Sequence, residues 1–321
     1  MRLKGFHVFR IPIPFAVGSI NVYFIEAPYP TLIDVPPNGV FYRNHLEDAL
    51  ANVGYRVQDI RRIVITHPHI DHFGLAKWVA EQSNADVWIH KDAANYLEAY
   101  PRDLVLDFCY YKRFLRLAAA PERCNAYLRG FYETVKPLGC QVNPSRRLEN
   151  GDEVELSSLK FRIMSVPGHT PYCILVYHPE NRFAFTGDFL INEITSNAVL
   201  QRPRRGGKRF KSLVQYVSSL EKVREMDLEF ALTGHGEMIN NPAARINRIL
   251  AFINDRQGEI IALLRSGPHS VFNLMEKMFP NIPPAEVFLG LSEVMGHLEL
   301  LEYRGQAART NAGKQLSFFL L

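Results

Sequence analysis

Apolar and polar positions along this chain change period several times, and each change marks an element. Residues 6–12, 20–25 and 31–35 are short apolar or alternating runs, punctuated by Pro28, Pro30, Pro36, Pro37 and Gly39. They read as three strands. A helix is expected over 41–53, closed by Gly54, and then a buried strand over 61–66. The next helix runs from Phe73 through Ala80, and a strand over 87–89 ends at His90. From 91 to 136 the pattern is helical, with Tyr96, Tyr100, Phe108, Tyr110, Tyr111, Phe114, Tyr127, Phe131 and Tyr132 spread through it. Strand periodicity resumes after Gly151, over 153–156, 161–166, 173–177, 182–185 and 230–232, with a helix over 211–225. The remainder reads as a long helix to about 265, helices over 270–279 and 285–301, and a hairpin around Gly305 and Gly313. Pro283 and Pro284 open the second of these helices, which suits proline at a helix start.

Candidate chemistry lies where strands end. Thr66-His67-Pro68-His69-Ile70-Asp71-His72 places three histidines and a carboxylate on one strand-to-helix turn. Histidine is the commonest transition-metal ligand, and a mixed His/Asp set suits a borderline-soft cation such as Zn²⁺. Three further candidates follow apolar runs, each beside a glycine: Gly168-His169, Gly187-Asp188 and Gly234-His235. Glycine permits a sharp turn and close approach of backbone to an ion. His45 and His178 read as exposed, His90 and His297 as structural. Ser157-x-x-Lys160 and Ser219-x-x-Lys222 match a serine-hydrolase tetrapeptide, but nothing else of that machinery accompanies them.

His67-x-His69-x-Asp71-His72, followed in order by His169, Asp188 and His235, resembles the metallo-β-lactamase fold superfamily over about residues 6–241. Thr31-Leu32-Ile33-Asp34 is similar to another part of its pattern. The resemblance implies an α/β (α+β) architecture, an αββα sandwich with two metals at one edge of the sheets. One metal would take His67, His69 and His169, the other Asp71, His72 and His235, with Asp188 bridging. Two Zn²⁺ about 3.5–4 Å apart can lower the pKa of a bridging water towards about 7. Asp71 is then also the candidate catalytic residue, orienting the hydroxide and accepting a proton. Iron or manganese is compatible with the same ligands, and no organic cofactor is expected.

Composition narrows the class. The chain has 321 residues, 47% hydrophobic and 22% charged, with a net charge of +4. These are values of a soluble globular protein, long enough for one large and one small domain. Neither a signal peptide nor an apolar run of membrane-spanning length is evident. Cys109, Cys124, Cys140 and Cys173 form no C-x-x-C pair and read as free thiols, so a cytoplasmic setting is expected. The catalytic domain is placed at 1–250, with 91–146 as a helical cap insertion, and a small C-terminal domain at 251–321.

The cap reads either as a pocket wall for an apolar or extended substrate or as an added packing layer. Residues 202–211 hold six basic side chains in ten positions, an anion-binding arm or a solvated loop. Arg204, Arg205, Lys208, Arg209 and Tyr172 are the candidate substrate contacts. The tail resembles a winged helix, as in one subgroup of the superfamily, yet residues 255–321 carry six basic and seven acidic side chains. Its would-be groove helix has Glu286, Glu293 and Glu299 and no Lys or Arg, so DNA is disfavoured as a partner. A structural tail, or one that forms a homodimer, fits better. The resemblance leads to a dinuclear hydrolase acting on a thioester, ester or lactone of a small or medium acyl group, with CoA-linked substrates in range. The alternatives are an endoribonuclease or phosphodiesterase, with RNA as the partner, and a ligand-binding sensor with a DNA-reading tail.

Overall fold

The computed structural model describes residues 5–203, 209–310 and 315–321. Six strands form the first sheet in sequence order: β1 (Phe6–Pro12), β2 (Ser19–Ile25), β3 (Thr31–Ile33), β4 (Arg62–Ile65), β5 (Asp86–His90) and β6 (Arg146–Leu148). The first two pairings are antiparallel and the rest parallel. Parallel neighbours need crossovers, which α1 (Val40–Ala51), α2 (Ile70–Phe73), α3 (Ala76–Ser83) and the cap supply. The second sheet has the order β11-β10-β9-β8-β7, from β7 (Glu153–Leu156), β8 (Leu159–Ser165), β9 (Ile174–His178), β10 (Phe183–Gly187) and β11 (Phe230–Thr233). Its last pairing, β10 with β11, is parallel and is bridged by α7 (Ser212–Arg224).

Side-chain alternation sorts each strand between two cores. In β2, Ile20, Val22 and Phe24 join the cluster that contains Leu46 and Leu50 of α1, while Tyr23 and Ile25 face the other sheet. In β4, Ile63 and Ile65 point to the helices and Val64 points inward. Ile174 and Val176 of β9 and Phe183 and Phe185 of β10 meet them from the second sheet, whereas Leu175 and Ala184 face α7 and α8 (Pro242–Leu264). Helix, sheet, sheet and helix therefore stack as four layers. His178 departs from the expected exposure: it is fully buried, stacked on the Phe183 ring at 5.2 Å, with Nδ1 accepting from the Asn181 amide. As the last residue of β9, it turns towards the inter-sheet aromatic cluster. Strand β6 lies outside the expected set, because three residues containing two arginines carry no apolar period.

The cap comprises α4 (Lys91–Glu98), α5 (Tyr100–Leu117) and α6 (Arg123–Val135), and His90 caps α4 by accepting from the Asp92 amide. Its aromatic residues mostly form a core with the C-terminal segment: Tyr111 meets Phe288 at 4.4 Å, and Phe114 and Leu128 share a cluster with Phe272 and Leu291. That segment contains β12 (His269–Ser270), α9 (Val271–Met278), α10 (Val287–Tyr303), β13 (Ala307–Thr310) and β14 (Ser317–Leu320), with sheet order β12-β14-β13. Helix α8 runs unbroken through residue 250 and carries the chain from one part into the other. Helix α10 is buried around most of its circumference, Glu299 and His297 included. It packs among α7, α8 and α9.

Ion pairs tie the segment after β10 to both additions. Arg202 donates to Asp107 (2.6 Å) and Asp103 (2.8 Å) of α5. Arg209 lies 2.7 Å from Glu299, and Lys211 3.3 Å from Glu302, which also holds Arg309.

Candidate metal centre

Every candidate ligand leaves the end of a strand at the same edge of the two sheets. His67 and His69 follow β4, Asp71 and His72 sit in α2, and His169 lies on the turn between β8 and β9. Asp188 follows β10 and His235 follows β11. The approach is close enough to exclude a side chain at Gly234, where a Cβ would stand 2.7 Å from Asp188 Oδ1 and 2.8 Å from His72 Cε1. The glycine beside His235 is therefore a steric requirement, as well as a turn.

Seven side chains form two groups: His67, His69, His169 and Asp188, and then Asp71, His72 and His235. In the first, His69 Nδ1 lies 3.1 Å from His67 Nε2 and 2.9 Å from His169 Nε2. Asp188 Oδ2 is 4.0 Å from His67 Nε2 and 3.6 Å from His169 Nε2. In the second, His72 Nε2 and His235 Nε2 are 3.3 Å apart, and each is 3.2 Å from Asp188 Oδ1. Asp71 Oδ2 completes it, 3.5 Å from His235 Nε2. Asp188 thus turns one carboxylate oxygen towards each group.

Burial makes the cluster incomplete by itself. Asp188 Oδ1 has no hydrogen-bond partner, and imidazole nitrogens face each other where at most one of each pair can carry a proton. Burial pushes His67 well below the usual histidine range, with His72 and His69 adding to it, and pushes His69 down to about 3. A neutral imidazole has a lone pair to give to a cation. Around the second group, burial opposes charge on His72 and His235, but carboxylates led by Asp188 outweigh it; His235 is raised to about 10. Asp71 and Asp188 are correspondingly held below the carboxylate range: burial works against them and the His72 and His235 imidazoles prevail. The second group therefore draws positive charge, which a divalent cation can supply in place of protons. Donor types, convergence and the unpartnered oxygen all fit two divalent ions.

The outward nitrogens are fixed. His72 Nδ1 is 2.8 Å from Asp34 Oδ2, and Thr66 donates its amide and hydroxyl to the same carboxylate at 2.7 and 2.8 Å. Asp34 adopts a left-handed φ of 61° to do so, a conformation tolerated by Asp but not free of cost. His235 Nδ1 donates to the Ser19 carbonyl (2.8 Å) and His169 Nδ1 to the Asn197 carbonyl (2.7 Å), with Ser196 Oγ at 3.0 Å. Such contacts set ring orientation and ligand basicity. In the sequence Asp34 stands out only by resemblance, without a role. Ser19, Ser196 and Asn197 do not stand out at all, since a backbone carbonyl leaves no residue-type signal.

Next to His69 lies a small cavity of ≈ 80 Å³. Tyr172 lines it as a candidate substrate contact, together with Tyr96, Asp107 and Tyr111 of the cap and Arg202. Arg209 is elsewhere, paired with Glu299. Arg204, Arg205 and Lys208 fall outside the described residues.

Layers and ligand set together define a metal-dependent hydrolase of the four-layer sandwich type. The metallo-beta-lactamase superfamily model matches residues 17–235, and the chain belongs to that superfamily. Among relatives, "Probable metallo-hydrolase YqjP" of Bacillus subtilis is 28% identical over 297 residues, covering 91% of each chain. "Hydroxyacylglutathione hydrolase GloC" of Haemophilus influenzae is 25% identical over 134 residues, 41% of this chain and 50% of that one. The crystal structure of a metallo-beta-lactamase family protein from Thermus thermophilus superposes with a TM-score of 0.85 at 24% identity, covering 99% of both chains. That last likeness speaks for the fold, C-terminal segment included. Among the described residues, no helix is long and apolar enough to cross a membrane.

Proposed function

We propose that this chain is a dinuclear metallo-hydrolase acting on the acyl carbonyl of a thioester, ester or lactone. The observation that carries this reading is the position of Asp188, with Oδ2 facing His67 and His169 and Oδ1 facing His72 and His235, beside a cavity walled by Tyr96, Tyr111 and Tyr172. Two bound divalent ions, zinc first, would supply an activated water and Lewis acidity. The chain's own part is to hold them, to orient the attacking water through Asp71, and to seat the acyl carrier against the cap. Asp71 suits the proton-handling role because it is 8% exposed and touches His235 and His72 rather than solvent. Hydrolysis of an acylglutathione is also what the name of the Haemophilus relative describes.

Arg202 is the described basic group at the cavity, and its two carboxylate partners leave it positioned there with its charge already balanced. That arrangement supports a polar acyl carrier more than a polyanionic strand. The C-terminal segment supports a winged-helix-like reading by its order of helices and hairpin, in a structural role, since α10 is enclosed. Four unpaired cysteines support a reducing, cytoplasmic setting. The test is a panel of an acyl-CoA, S-lactoylglutathione, an acyl lactone and single-stranded RNA, each with zinc- and manganese-loaded protein. Thioester or lactone turnover is expected; RNA cleavage without any acyl hydrolysis would replace this reading with that of a nuclease.

A further inference from the structure

Strand β2 is apolar from Ile20 to Ile25 except at Asn21, which is 3% exposed. A buried amide is costly unless it is hydrogen-bonded, and asparagine is a poor strand former. Asn21 directs its donors at a single turn of the opposite sheet. Its Nδ2 donates to the Thr233 carbonyl (3.0 Å) and to the Gly236 carbonyl (2.9 Å), and its backbone amide donates to the Gly234 carbonyl (2.8 Å). Two residues on, Tyr23 Oη also donates to Thr233, at 2.8 Å. His235 is thereby bracketed from both sides. The turn needs holding, because His235 stands between two glycines that sterics require. Gly234 has no room for a Cβ beside Asp188 and His72, while Gly236 has a φ of 67° and the Glu193 carboxylate where a Cβ would lie. Glycine leaves the backbone free, so the residues that let His235 come close also loosen the turn that carries it. Its neighbour His72, at 3.3 Å, arrives from the first sheet through α2. The second ligand group is therefore assembled from both sheets, and Asn21 joins the sheets at that place.

We propose, on the dinuclear reading above, that Asn21 is a positioning residue for the second metal ion. It fixes the His235 turn so that Nε2 stays opposite His72, and without it that ion is lost while the ion of the first group is kept. The selectivity follows from where the bonds go. Among the described residues, Asn21 makes no hydrogen bond to the turns that carry His67, His69 and His169. His169 is oriented separately, by the Asn197 carbonyl. Groups that orient a metal-ligating imidazole tune affinity without touching the metal.

The experiment is zinc titration of the full chain in competition with a chromophoric chelator, on wild type, Asn21→Ala, Asn21→Thr and Val22→Ala. Threonine is a better strand former with one donor in place of two, so Asn21→Thr carries the test if Asn21→Ala does not fold. Val22 is the next residue of β2, fully buried, with its side chain in the helix-facing core; Val22→Ala therefore reports loss of strand stability alone. Either Asn21 variant should weaken one zinc ion by about 10–100-fold, the scale at which such outer partners act, and leave the other unchanged. Val22→Ala should hold both as the wild type does. In a His235→Ala background, Asn21→Ala should cause no further loss of zinc, because the ion it serves is already gone. Both ions weakened alike, neither weakened, the same loss from Val22→Ala, or a further loss in the His235→Ala background each overturns the positioning role. Binding of fewer than about two zinc ions by the wild type overturns the dinuclear reading, and this proposal with it.

Discussion

Two regions of this molecule bury many charged and titratable groups, and they are built on opposite plans. At the strand ends, groups of one kind face each other: five imidazoles and two carboxylates converge, and Asp188 Oδ1 is left without a partner. Between the cap, the loop after β10 and the C-terminal segment, opposite kinds meet instead: Arg202 with Asp103 and Asp107, Arg209 with Glu299, Lys211 and Arg309 with Glu302. The first set is complete only with something added. The second sets opposite charges against each other and binds parts of the chain together. Burial alone therefore does not mark a functional cluster; the pairing within it does.

The most severe way to break the first plan is Asp188→Ala. Both groups lose a shared ligand, so metal content should fall from about two ions per chain towards none, and hydrolysis should fall to background. Elemental analysis showing double occupancy in that variant would remove Asp188 from its bridging place. A milder lesion is Asp34→Asn, which keeps shape and removes the charge behind His72. Outer partners of this kind typically contribute about 10–100-fold in metal affinity or activity. Chelator competition should register that loss, with secondary structure unchanged; unaltered zinc affinity would show that Asp34 serves only the backbone turn it occupies.

The second plan is tested by unpairing it. Arg209→Met leaves the Glu299 side chain, 3% exposed, without its cation. Stranding one partner of a buried pair costs about 3–5 kcal/mol, whereas replacing both by apolar residues is often neutral. Denaturant unfolding should therefore show a clear loss for Arg209→Met and recovery for Arg209→Met with Glu299→Leu, with metal content intact in both. If the double variant is no better than the single, the pair contributes something beyond mutual neutralisation.

These two plans also differ in how legible they are in the sequence. The metal cluster can be read there because its ligands are rare residue types placed just after apolar runs, beside glycines. The strands around it are legible because alternation between two cores repeats in β2, β4, β9 and β10. The ion-pair region is not, since Arg202 finds Asp103 and Asp107 nearly a hundred positions away, and a basic run looks the same whether it meets a phosphate or a carboxylate. His178 is misplaced for a related reason: a histidine before a Pro-containing turn suggests solvent, and only the fold brings Phe161 and Phe183 onto its ring. Strand β6, too short for a period, is paired into the sheet by β5 alone.

A smaller effect separates the two plans by pH. His297 in α10 is buried and pushed down to about 3, by burial first and then by Arg256 and Arg304. Gln257 holds it, with Nε2 2.9 Å from His297 Nδ1. It belongs to neither an open ligand set nor an ion pair, so it should report simple exclusion of a proton. In the unfolded chain a histidine titrates near about 6.5. Above that pH both states leave it neutral and it contributes no slope. As pH falls below about 6.5 the unfolded chain takes up a proton that the folded chain refuses until about 3, so stability is lost across that window. At about pH 5 the loss amounts to about 2 kcal/mol, from roughly 1.36 kcal/mol per unit. Glu293 and Glu299 oppose this, because burial raises both and the folded chain binds their protons more readily. The difference between wild type and His297→Gln isolates the histidine: stability measured at about pH 7 and about pH 5 should fall less in the variant. Identical slopes would mean that α10 admits the proton, and that its enclosure is looser than the packing around His297 indicates.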